Sequence, residues 1–127
     1  MAGGLAAMRI TYDKLVRDKV PDAIRADGHT CHVEVLGPEE YVTQLKRKLV
    51  EEAREALEAS SHDDLVLELA DLMEVVRSLC AANGVTVEDV EAMRLQRQAE
   101  RGGFDQRLLL RFVDRADLND VEGQPTS

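Results

Sequence analysis

Tryptophan is absent from this 127-residue chain, and aromatic residues make up only 3% of it. So few flat rings exclude a platform on which single-stranded bases stack. Basic residues are also scarce: 16 Lys and Arg stand against 25 Asp and Glu, a net charge of −9. A phosphate backbone is gripped by clustered bases, so a nucleic-acid polymer is not an expected partner. No apolar run approaches the roughly 20 residues of a membrane-spanning helix. The opening MAGGLAAM has neither the basic start nor the long apolar stretch of a secretory signal. Two cysteines, Cys31 and Cys80, cannot build a disulfide framework, and a reduced, cytoplasmic setting is expected. His29, His32 and His62 are not at mutual metal-ligand spacing.

What is present is an apolar fraction of 44%, enough at this length for one domain with its own core. The small, glycine-containing start (1–11) reads as a disordered leader. Residues 12–116 form a single domain, and 117–127, ending GQPTS, form a flexible tail. The charge is uneven. Residues 34–74 hold twelve acids and four bases, whereas the rest of the chain holds thirteen and twelve. The negative excess therefore belongs to one central block.

That block lies on two long helices. Gly37-Pro38 opens the first, which runs to about Ala59. The SSHD turn follows, with Ser61 three residues before Asp64 as an N-cap, and the second helix runs from about Asp63 to Ala82. A turn this short makes the helices antiparallel neighbours. A short helix is expected at about 21–27, ended by Gly28, and another from the Thr86/Asp89 cap to about Arg101. The alternating CHVEVL at 31–36 predicts a short strand, and RLLLRFV at 107–113 fits a strand or a last helix. The fold class is mainly all-α: a helical bundle completed by oligomerisation, with short extended segments. The second long helix is apolar nearly all round, which argues for a partner chain and hence a homodimer or homotetramer.

Helical geometry then sorts the acids. With Glu52 at 0°, an apolar stripe from Leu45 through Leu49 and Val42 to Leu57 and Val50 spans about 20–160°. Glu52 borders it, and Glu55 and Lys48 lie one step further out, near 300° and 320°. Glu51 and Glu58 fall on the far side as solvated charges. On the second helix Glu68 and Asp71 share a face flanked by Leu72 and Val75. Two carboxylate pairs on adjacent helices, Glu52/Glu55 and Glu68/Asp71, can thus reach one point. Converging carboxylates repel unless cations lie between them, and an all-oxygen donor set suits Mg²⁺, with Mn²⁺ a possible substitute.

The pattern Glu51-Glu52-x-x-Glu55, twelve residues, Glu68-x-x-Asp71 resembles the signature of the MazG-like all-α nucleoside triphosphate pyrophosphohydrolases. KLVRDKVP (14–21) and ERGGF (100–104) resemble the small "phosphoribosyl-ATP pyrophosphohydrolase-like" branch. The resemblance implies Mg²⁺ held by Glu52, Glu55, Glu68 and Asp71. It also implies cleavage of a nucleoside triphosphate between the α and β phosphates, giving a monophosphate and pyrophosphate. Glu51 or Glu55 would accept the proton of the attacking water, beside Glu52 among the catalytic carboxylates. Lys48, by its place on the helix, and Lys14, Arg17, Lys19 and Arg101, by the resemblance, are candidates for binding the triphosphate. Two other readings compete with nucleotide-pool house-cleaning. One is the phosphoribosyl-ATP step of histidine biosynthesis, which the two flanking motifs disfavour. The other is a non-catalytic helical dimerisation module.

Overall fold

A computed structural model of the chain describes residues 8–116. The leader expected at 1–11 falls largely, and the tail expected at 117–127 wholly, outside the described residues. Four helices follow in order: α1 (Val20–Ala26), α2 (Pro38–Glu58), α3 (His62–Ala82) and α4 (Val87–Arg101). The chain divides into two compact units, with the break after Val90. The first carries α1, α2, α3 and the start of α4. The second carries the rest of α4 and the irregular segment after it.

Local chemistry explains the boundaries. Pro38 occupies the first turn of α2, where a missing N–H costs nothing, and Glu39 and Glu40 complement the helix dipole there. The Ser61 hydroxyl accepts the Asp64 N–H at 3.1 Å, and Thr86 caps α4 in the same way through Asp89 at 3.0 Å. Both caps stand where the serine and threonine spacing predicts them. At the end of α3, Gly84 takes φ +66°, and Val85 N–H returns to the Cys80 carbonyl at 2.9 Å. This left-handed closure favours glycine.

The fold is all-helical among the described residues, and two expectations of extended structure are corrected. Residues 31–36 form no strand: Val35 is 99% exposed, and the described residues hold no second strand to complete a ladder. Alternating β-branched residues describe a strand only where a partner exists. Residues 107–113 are neither strand nor helix; Arg107 has φ +58°, and Leu108 to Val113 are largely uncovered.

In the first unit α2 and α3 pack as an antiparallel hairpin across the three-residue turn 59–61. Its buried set is small: Leu45 from α2, Val75 and Cys80 from α3, and one charged residue, Glu52. The protected face of α2 is not the one that apolarity alone predicts. It spans about 260–80° on the same wheel, so Glu52 lies at its middle rather than its border. Val50 and Leu57, at the far end of the expected stripe, are 50% and 84% exposed. On α3, Val66, Leu67, Leu69 and Met73 are likewise uncovered. No helix among the described residues is long and apolar enough to cross a membrane.

Candidate functional site

The hairpin turns its acids toward each other. Glu52 and Glu55, three residues apart on α2, meet Glu68 of α3, and one oxygen of each lies within 4.8 Å of the others. Glu55 is exposed, Glu68 half-buried and Glu52 buried. The Oε2 atoms of Glu52 and Glu68 are both shut off from solvent and meet no hydrogen-bond donor. An ionised oxygen in that position forfeits its hydration without replacement.

The proton affinities record the strain. Burial, then the neighbouring Glu55 carboxylate, pushes Glu52 up to about 7, against the pull of Lys48, while Asp71 adds to the rise. Glu68 is also raised, by loss of hydration, by Glu55, and by the charges of Asp71 and Asp64. Asp71 is thus close enough to act on both, although it lies outside the tightest triad.

Three cations answer the acids. Lys48 Nζ stands 3.8 Å from Glu52 and 3.9 Å from Glu51. From the irregular segment before α1, Lys14 Nζ reaches Glu51 Oε1 at 3.2 Å, and Arg17 Nη2 donates to Asp71 Oδ1 at 2.7 Å. Five carboxylates (Glu51, Glu52, Glu55, Glu68 and Asp71) therefore face three bases (Lys14, Arg17 and Lys48). Acids outnumber bases here, and a cation among them would relieve the repulsion. The donors are oxygen alone, the set preferred by hard cations.

Other residues singled out from the sequence are placed differently. Lys19 is exposed beside the start of α1 and makes no ion pair among the described residues. Arg101 closes α4 in the second unit. Glu51, which the helical wheel turns outward, is half-buried beneath Lys14 and Lys48. A helix considered alone cannot show this, because the covering segment lies 37 residues earlier. The available signal was the three-residue spacing of Lys14 and Arg17 in a basic stretch, matched to an acidic block with few bases of its own. Cys80 is buried as an apolar side chain, and the half-buried Cys31 thiol donates to the Pro21 carbonyl at 3.8 Å.

Comparison with known proteins follows the same region. The profile of the phosphoribosyl-ATP pyrophosphohydrolase family matches residues 30–98, a stretch that holds Lys48 and all five acids but none of Lys14, Arg17, Lys19 or Arg101. Over 50 residues the chain is 42% identical to an uncharacterized protein of Mycolicibacterium smegmatis (strain ATCC 700084 / mc(2)155), covering 39% of this chain and 51% of that protein. The chain thus spans about half the length of the curated relative it matches. No solved structure matches it.

Proposed function

The chain belongs to the phosphoribosyl-ATP pyrophosphohydrolase family, and from that premise we propose that it is a Mg²⁺-dependent nucleoside triphosphate pyrophosphohydrolase that clears unwanted nucleotides. One observation carries the reading: two buried carboxylate oxygens without donors, on facing helices, inside a cluster where acids outnumber bases. Glu52, Glu55, Glu68 and Asp71 would hold the ion, with Mn²⁺ an acceptable substitute. When bound, it supplies positive charge against the phosphate oxygens and lowers the pKa of the attacking water.

The chain's own side chains do the rest. Glu51 is engaged by two ammonium groups, which leaves Glu55, exposed and without an ion pair among the described residues, to take the water's proton. Water oxygen joins the α phosphorus, the α–β bridging bond breaks, and the products are a nucleoside monophosphate and pyrophosphate. Lys48 stands beside Glu52, and Lys14, Arg17 and Lys19 are the bases we assign to the triphosphate. The uncovered apolar side chains of α3 are the surface through which two or four copies would associate. Two free cysteines suit a reducing cytoplasm.

The matched family's own description supports a second reading, hydrolysis of phosphoribosyl-ATP in histidine biosynthesis. A panel of triphosphates that includes phosphoribosyl-ATP, assayed for pyrophosphate with and without Mg²⁺, separates the two. Glu52→Gln and Asp71→Asn should abolish release. Full-rate turnover by either variant, or no release from any substrate, sinks the catalytic reading and favours the helical dimerisation module.

A further inference from the structure

The segment before α1 is neither helix nor strand, yet it is tied to both helices of the site. Lys14 binds Glu51 on α2, and three residues later Arg17 binds Asp71 on α3. The backbone turns sharply just ahead of them, at Asp13, with φ +48°. Between the two bases only Leu15 is partly buried, so little apolar packing fixes the segment. Its attachment is mainly electrostatic. Both ion pairs are open to water, with Arg17 59% and Asp71 29% exposed.

Asp71 therefore has two competing claims on it. Its charge bears on Glu52 and Glu68, whose buried oxygens lack donors, and its Oδ1 is already taken by a guanidinium. Arginine is a planar donor that serves carboxylate and phosphate oxygens equally well. We propose that residues 12–19 act as an exchangeable strap: Arg17 occupies Asp71 in the ion-free site, gives it up when a divalent cation binds, and turns its guanidinium to a phosphate of the substrate. This rests on the reading of the acidic cluster as a cation site. In this strap Arg17 couples ion binding to phosphate binding. It also accounts for a basic segment outside the matched family region reaching into the acids within it.

The test uses the full chain and Mn²⁺ without nucleotide. An exposed pair of this kind opposes binding modestly, so Arg17→Gln should bind Mn²⁺ about 1.5- to 5-fold more tightly. Arg17→Lys, which keeps the charge and loses the planar fork, should tighten it less. Arg9→Gln, which removes one charge from the segment before α1 at a residue with no ion pair among the described residues, should leave it unchanged. In the wild type, Mn²⁺ should speed tryptic cleavage after Arg17, because a side chain held by Asp71 cannot enter the protease pocket. If Mn²⁺ binds but Arg17→Gln is no tighter and cleavage is no faster, the strap is wrong and the site stands. If Arg9→Gln tightens binding as much as Arg17→Gln, the effect is bulk charge and the strap is again wrong. If Mn²⁺ does not bind at all, the site reading fails and takes the strap with it.

Discussion

Replacing Glu52 by Gln should stabilise the ion-free protein while destroying its response to Mg²⁺. In the folded chain the Glu52 carboxyl holds its proton up to about pH 7, against 4.5 when freely solvated. Between these values the native state binds more protons than the unfolded state, so stability falls as pH rises and levels off above about 7. The full displacement corresponds to about 3 kcal/mol. Water around exposed Glu55 screens much of it, and about 1–2 kcal/mol is the expected loss. Glu68, raised in the same direction, adds to the same slope. A neutral amide at position 52 removes the like-charge repulsion and offers Glu55 a donor. Thermal unfolding in chelator should therefore show the wild type losing about 3–8 °C between pH 5 and 8. Glu52→Gln should hold a flatter curve and be the more stable protein at pH 8. Saturating Mg²⁺, at 100 times its dissociation constant, should restore about 2.7 kcal/mol to the wild type and nothing comparable to the variant. Parallel curves for the two proteins, or a variant less stable at pH 8, would refute the reasoning.

Further expectations concern the frame around the site. Leu45→Ala should cost about 2–5 kcal/mol in denaturant unfolding, since Leu45 is the most buried apolar side chain of α2. Ser61→Ala loses the cap of α3 and should cost about 1 kcal/mol, with Ser61→Asp retaining most of it. Leu69→Lys and Met73→Lys place charge on the uncovered face of α3. Sedimentation should show these variants as smaller species than the wild type, whose melting temperature should rise with protein concentration. A monomeric wild type at all concentrations contradicts that last expectation.

Helix positions were legible because caps and stops are local. Ser61, Thr86 and Gly84 act within four or five residues, so spacing alone places them. Segments whose state depends on distant partners were not. Residues 31–36 have the composition of a strand and no ladder to join. The wheel sets Glu52 beside the core, but it reads the direction of burial from apolarity. The structure centres that burial on Glu52 and leaves Val50 and Leu57 open. Glu51 was misplaced for the same reason: the segment that covers it is remote in sequence. Three of the four paired carboxylates converge as spacing suggests. The fourth, Asp71, lies outside that triad and accepts from Arg17, a contact across 54 residues that no local pattern contains.

The sequence separations within the hairpin also set an order of events in folding. Glu52, Glu55 and Glu68 come together as soon as a three-residue turn closes, among the shortest loops the chain has to form. Lys14 and Arg17, which pair with the neighbouring Glu51 and Asp71 from outside the hairpin, must travel across 37 and 54 residues. The nascent hairpin thus closes against its own charge before that help arrives. Early contacts of this kind set the barrier, whereas late ones mostly govern how fast the finished structure opens. Divalent ions should therefore speed refolding of this chain, and loss of Arg17 should chiefly speed its unfolding.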